Sequence, residues 1–180
     1  DSEYYIEYGK NGFRTDLLDI YLSSICKFTI GSGSGVEGLS SFLFRKPILF
    51  VNHADINSWN TWVNGVLIFK KCWCYSLSRF LSLKEIKTLG LCCFNPFNFS
   101  DIKFIDNSPE EIFSAVIEIE ERISGNYDEV DEMNTLQNDF WDLYRSDEDS
   151  FHDNCVIGKK KSYGLLVGTQ FLKENLYLLS

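Results

Sequence analysis

Hydrophobic and polar residues alternate along the chain in spacings that distinguish helices from buried strands. A first helix is predicted from an N-cap residue and three apolar residues on one face, namely Thr15, Leu18, Leu22 and Ile25. The runs at 27–30 and 48–51 predict strands, and the second has the continuous hydrophobicity of a parallel strand that is buried on both faces. A glycine-rich turn and a helix at 36–44 separate the two runs. This order predicts a βαβ unit whose turn lies at the carboxyl edge of a parallel sheet.

The rest of the chain continues the alternation of strands and helices. The clearest helix starts with the capping box of Ser108 and Glu111, has Pro109 at its first position, and stops at Gly125. The other predicted elements are strands at 66–69 and 102–105 and helices at 83–89, 128–144 and 169–179. The pattern predicts an α/β fold, Rossmann-like, with a mostly parallel sheet flanked by helices. We expect one domain over residues 1–180, of which 126–180 form a mainly helical portion.

Composition and charge narrow the classes of function. The 180 residues carry a net charge of −9, which disfavours nucleic acid as a partner. No apolar run has the length of a transmembrane segment. The six cysteines form no CxxC pair, and the spacing of Cys72, Cys74, Cys92 and Cys93 does not suit a zinc site. We therefore expect free thiols, a reducing compartment and a cytoplasmic location.

The glycine-rich turn is the strongest local signal for a ligand. It consists of Gly31, Ser32, Gly33, Ser34 and Gly35, and it leads into a helix that begins with Val36 and Glu37. Glycine allows the backbone to approach a phosphate closely, and the helix start adds unpaired N–H donors. The turn matches neither a Walker loop nor GxGxxG. It predicts diphosphate binding by backbone donors, and the alternative is a tight connection without a ligand.

Other residues at the predicted edge are candidates for the same site. Asn52 and His53 follow the second strand, where an imidazole suits a phosphate or a sugar, and Lys70 can add a cation. The alternatives are a loop histidine bonded to a carbonyl and a solvated lysine. Glu37 lies in the first turn of the helix, where the helix dipole favours an acidic residue. The segment DED at 147–149 lies in a polar loop, so we predict no metal site.

Several segments together resemble a family of bacterial glycosyltransferases of the GT-B class, which is associated with surface polysaccharides. The first three are DLLDIYL at 16–22, CKFTIGSGSG at 26–35 and KPILFVN at 46–52. Further segments are FKK at 69–71 with FLSLKEI at 80–86, DNSPEEI at 106–112, and LQNDF at 136–140. They occur in the family's order and span nearly the whole chain.

The resemblance implies the nucleotide-sugar-binding, C-terminal half of a GT-B enzyme. Such a half binds a nucleoside-diphosphate sugar at its glycine-rich turn for transfer to a glycan acceptor. It needs no metal or cofactor, and a glutamate near Glu37 commonly binds the ribose. The N-terminal half, expected to hold the acceptor, has no counterpart in this chain, so no catalytic base is assigned. The alternatives are a nucleotide-sugar epimerase and a non-catalytic nucleotide-sugar or protein-binding module. A peripheral position at the inner membrane face is the alternative to a purely cytoplasmic one.

Overall fold

A computed structural model describes residues 5–10, 12–33, 35–54, 64–91, 100–129, 131–145 and 164–180. Its helices are α1 (Asp16–Ile25), α2 (Gly35–Gly38), α3 (Leu83–Thr88), α4 (Pro109–Ser124), α5 (Asp131–Arg145) and α6 (Thr169–Glu174). Its strands are β1 (Thr29–Gly31), β2 (Ile48–His53), β3 (Gly65–Phe69), β4 (Lys71–Cys74), β5 (Arg79–Phe80), β6 (Ile102–Ile105) and β7 (Leu165–Val167). A π-helical turn at Leu39–Leu43 continues α2, and a 3₁₀ turn at Leu176–Leu179 follows α6.

A parallel sheet with the strand order β1-β2-β3-β7 forms the centre of the fold. Thr29 pairs with Ile48, and Gly65 pairs with both Ile48 and Leu165. Strands β2, β3 and β7 contribute apolar side chains with almost no exposure, as continuous hydrophobic runs predict for strands covered on both faces, whereas Ile30 of the edge strand β1 is half exposed. The predicted α/β class and the parallel pairing of the first two strands are confirmed. The carboxyl ends of β1, β2, β3 and β7 therefore meet at one edge.

A second sheet, antiparallel and with the order β5-β4-β6, extends from the first. Strand β4 begins one residue after β3, so the same run of chain passes from one sheet into the other through Lys70. The predicted strand at 102–105 exists as β6, but our assignment of it to the parallel sheet was wrong. Ile105 pairs antiparallel with Lys71, because the chain reaches β6 from the far end of β4 and returns along it.

Local signals account for the helix boundaries. Ser108 and Glu111 form the predicted capping box of α4, and Gly125 ends that helix with φ = +72°. Ser82 and Glu85 form a second capping box on α3. The predicted helix at 36–44 is a short α-helix that widens into the π-helical turn. The segment DED at 147–149 lies outside the described residues, and Asn52 and His53, which were predicted to follow the second strand, are its last two residues.

Helix α1 is unusual because its outward face is apolar. Leu17, Tyr21 and Ile25 recur at the helical repeat and are exposed at 77%, 55% and 56%. We call these three residues the α1 stripe. Among the described residues, no helix has the length and apolar character needed to cross a membrane.

Candidate functional site

The glycine-rich turn lies at the carboxyl edge of the parallel sheet, as predicted. Gly31 ends β1 opposite Phe50, Ser32 is exposed, and Gly33 has φ = +99°, a conformation that side chains with a Cβ rarely adopt. Gly35 begins α2. Ser34 lies outside the described residues, and the side chain of Val36 is not described. The described part of the turn thus places backbone N–H groups at the sheet edge.

The Glu37 carboxylate folds back into this turn. Glu37 is 7% exposed, and its Oε1 accepts a hydrogen bond from the Gly33 N–H. The carboxylate also occupies the space in which a Cβ at Gly31 would lie. Ser41 Oγ donates to the Glu37 carbonyl at 2.9 Å, one turn along the helix. The turn therefore combines donors for an anion with an acidic side chain that already bonds one of them.

The imidazole of His53 lies directly beneath Gly33. His53 is 8% exposed and is the last residue of β2. A Cβ at Gly33 would approach His53 Cε1 to 2.7 Å and Nδ1 to 2.9 Å, so a glycine is needed at this point. The Phe50 ring packs edge-on to the imidazole, with ring centroids 5.6 Å apart. Packing against Gly33 and against the Phe50 ring holds the imidazole at the end of the strand.

The end of β2 has an irregular backbone that turns His53 under the turn. The register of β2 on β3 shifts between Phe50 and His53, and Asn52 has φ = +53°. Asparagine tolerates this left-handed conformation better than most residues do. Hydrogen bonds between Asn52 and Asn107 stabilise this irregular backbone.

Asn107 holds the irregular end of β2 in place. The Asn52 N–H donates to Asn107 Oδ1 at 2.7 Å, and the Asn107 N–H donates to Asn52 Oδ1 at 2.6 Å. Asn107 Nδ2 also donates to the Phe69 carbonyl at 3.0 Å. The buried side chain of Asn107 therefore connects the carboxyl ends of β2 and β3 to the start of α4, whose N-cap is the next residue.

The two lysines after β3 are both paired with carboxylates. Lys70 Nζ lies 2.7 Å from Asp106, and the Lys70 N–H donates to the His53 carbonyl at 3.0 Å. Lys71 Nζ lies 2.7 Å from Glu111, a pair whose side chains are 14% and 6% exposed. Lys70 is therefore the more accessible cation at this edge, and its charge is partly balanced by Asp106.

The structure brings Gly31, Gly33, Glu37 and His53 into one cluster and places Lys70 next to it, between β3 and β4. Asn52 faces Asn107 instead and acts on the site through the backbone of β2. The sequence analysis did not single out Asn107. Its only local signal is a polar residue directly before the N-cap Ser108, which gives no hint of three bonds to distant strands.

The cluster offers backbone N–H donors, an imidazole and a carboxylate within one small region. Such a set suits a ligand that carries both phosphate and hydroxyl groups, since a carboxylate accepts from hydroxyls and N–H groups donate to phosphate. Among the described residues, no group of three or more histidine, cysteine, aspartate or glutamate side chains is arranged to hold a metal ion.

The fold and site define an α/β domain with polar groups at the carboxyl edge of a parallel sheet. No protein-family model, no curated protein and no solved structure matches this chain significantly.

Proposed function

We propose that this chain is the donor-binding part of a glycosyltransferase and binds a nucleoside-diphosphate sugar at the carboxyl edge of the parallel sheet. One observation carries the proposal. The Gly33 N–H, the Glu37 carboxylate and the His53 imidazole converge at the ends of two adjacent parallel strands. Open α/β sheets bind their ligands at this edge.

Each group has a distinct role in the proposed complex. The Gly33 N–H donates to the diphosphate, and the His53 imidazole lies close enough beneath it to add a second donor. The Glu37 carboxylate bonds the Gly33 N–H in the structure, so a diphosphate that takes this donor must displace it. The displaced carboxylate then accepts from a ribose hydroxyl, which is the role the resemblance implies.

Neighbouring residues that do not bond the phosphate themselves stabilise this arrangement. The Lys70 backbone N–H bonds the His53 carbonyl, and the Lys70 ammonium adds positive charge to this edge, although its pairing with Asp106 reduces that contribution. Asn52 and Asn107 set the position of the imidazole. We assign no metal or cofactor to the reaction, because backbone donors and the imidazole can stabilise a departing diphosphate. The glycan acceptor and the catalytic base belong to a second α/β half in this proposal.

Calorimetric titration of the protein with UDP, GDP, CDP, ADP and TDP tests the proposal. We expect one of them to bind, and His53→Ala to weaken that binding about tenfold, as expected for the loss of one bond to a charged group. Tyr75→Ala is the matched control, because Tyr75 is an exposed aromatic on the distant turn between β4 and β5. Failure of all five diphosphates to bind the folded protein would overturn the proposal.

The products formed from a bound nucleotide sugar test the reaction class. Sugar transfer to an added glycan supports the transferase, and we expect no interconversion of the nucleotide sugar without acceptor. Such interconversion would replace the transferase with an epimerase. Binding without turnover when both the second half and acceptors are present would leave a non-catalytic binding module.

A further inference from the structure

The outer face of the antiparallel sheet carries an open groove of about 610 Å³, well separated from the glycine-rich turn along the chain. Its lining includes Trp73, Phe80 and Tyr177, with Arg79, Lys84 and Glu85 at the rim. We call it the aromatic groove. Its volume is in the range of sites for small organic ligands.

The base of the aromatic groove is a fixed row of three rings. Trp73 and Phe80 are register partners on β4 and β5, with centroids 5.0 Å apart and planes at 81°. Phe80 stacks on Tyr177 at 5.4 Å with planes at 19°. The Tyr177 hydroxyl donates to Asn175 Oδ1 at 3.1 Å, which fixes the third ring. Trp73, Phe80 and Tyr177 are all partly exposed, so the row presents aromatic surface to solvent.

The rim of the groove is a rigid pair of opposite charges. Arg79 donates to Glu85 through two bonds of 2.8 and 2.6 Å, and its Nη1 also donates to the Phe80 carbonyl. These contacts use three of the five guanidinium donors, counted over the described residues. The side chains of Arg79 and Glu85 are 50% and 35% exposed. The pair therefore offers both further donors and carboxylate acceptors to a ligand above the rings.

We propose that the aromatic groove binds a neutral saccharide. The apolar face of a pyranose ring can cover Trp73 or Tyr177, while its hydroxyls bond to Arg79 and Glu85 as donor and acceptor. Both signs of charge occur at the rim, and the chain as a whole carries −9, so an uncharged polyhydroxyl ligand fits better than a polyanion. Saccharide binding in the groove does not depend on the proposed donor site, because that proposal places the glycan acceptor in the second α/β half.

Saturation-transfer difference NMR with maltotetraose, cellotetraose and chitotetraose, without nucleotide, tests this inference. We expect one of these sugars to receive saturation and to shift the tryptophan fluorescence. Trp73→Leu, which keeps an apolar contact to Phe80, should weaken binding about tenfold, and Arg79→Ala should weaken it similarly. Tyr75→Ala, an exposed aromatic outside the groove lining, should leave the affinity unchanged.

The outcomes separate this site from the proposed donor site. Saccharide binding that survives when no nucleoside diphosphate binds would support the groove and overturn only the donor proposal. A lack of saturation transfer to all three sugars would overturn the groove proposal, as would binding that neither Trp73→Leu nor Arg79→Ala weakens. Thermal unfolding of each variant shows that the fold is kept, and Lys84→Ala serves as a second rim variant if Arg79→Ala unfolds.

Discussion

At the scale of single residues, two side chains decide what the glycine-rich turn can bind. His53 lies under Gly33 and limits this position to glycine, whereas Glu37 fills the space beside Gly31. The glycines of the turn look alike in the sequence, but the space around each of them differs in the structure. Gly33 and Gly31 are each closed in by a different side chain, and a Cβ at Gly35 would meet nothing within 4 Å.

The unequal glycines give a prediction with an internal control. Gly33→Ala should lower the free energy of unfolding by about 1–3 kcal/mol, because φ = +99° is strained for alanine and the Cβ would press on His53. Diphosphate affinity should fall as well. Gly35→Ala should change both quantities little. Urea denaturation and calorimetry measure the two effects, and equal losses in both variants would contradict the assigned geometry.

Removing the charge of Glu37 should raise the affinity for a nucleoside diphosphate relative to the affinity for the nucleoside alone. Glu37→Gln keeps an oxygen that can accept from the Gly33 N–H or from a ribose hydroxyl, but it no longer repels a diphosphate at the turn. We expect the affinity for UDP to rise relative to that for uridine by about tenfold, an order-of-magnitude figure for a nearby like charge. Calorimetric titration with both ligands checks this ratio. A ratio equal to that of the unchanged protein would mean that the carboxylate does not oppose the phosphates.

At the scale of secondary-structure elements, bonds between side chain and backbone decide where strands and helices end. The amide of Asn107 makes bonds to the ends of β2 and β3 directly before α4 begins. Asn107→Ala should lower the free energy of unfolding by about 2 kcal/mol, since it leaves the Asn52 N–H and the Phe69 carbonyl without this partner. Asn138→Ala, at an exposed position of α5, is the control for urea denaturation. Equal stability of both variants would contradict a structural role for Asn107.

The cap of α3 predicts a dependence of stability on pH. Bonds from Arg79 and from the Ser82 backbone lower the pKa of Glu85 from 4.5 to about 2. A lowered carboxylate pKa means that this stabilisation is complete above the ordinary pKa and is lost as the pH falls from about 4.5 towards 2. Because both side chains of the pair are partly exposed and screened, we expect Glu85→Gln to cost only about 1 kcal/mol at neutral pH.

Urea denaturation at several pH values checks the predicted contribution of Glu85. The difference in free energy of unfolding between the protein and Glu85→Gln should shrink over the acid range and disappear below about pH 2. Glu132→Gln, in the exposed first turn of α5, is the matched control and should leave the curve unchanged. A difference that stays constant with pH would show that the Glu85 charge does not contribute.

Elements with local signals could be predicted from the sequence, and those with distant partners could not. Ser108, Glu111 and Gly125 mark α4 within the chain itself, so its bounds and its capping box followed from local chemistry. The direction of β6 depends on its pairing with β4, some thirty residues away along the chain. At the site, the glycine-rich turn and His53 were predicted to share an edge, but the folding of Glu37 into the turn and the bonds of Asn107 required coordinates.

At the scale of the whole molecule, the α1 stripe is an apolar surface that the described fold leaves exposed. Contiguous exposed apolar residues favour association. We expect the protein to associate as its concentration rises and Leu17→Lys to suppress this association without lowering the free energy of unfolding. Leu176→Lys, at another exposed leucine, should not suppress it. Sedimentation velocity at several concentrations measures the effect, and an unchanged protein that stays monodisperse throughout would contradict the prediction.

The run of chain through β3, Lys70 and β4 has a consequence for how the molecule loses its structure. Its first part lies between β2 and β7, and its second part lies between β5 and β6. Local unfolding that begins in either sheet removes a strand that pairs with β3 or β4. Because β3 and β4 are continuous through Lys70, the loss also destabilises the other sheet. We therefore expect the two sheets to unfold together rather than one after the other. The glycine-rich turn and the aromatic groove are far apart in sequence, but the sheets that carry them are joined by this continuous run of chain.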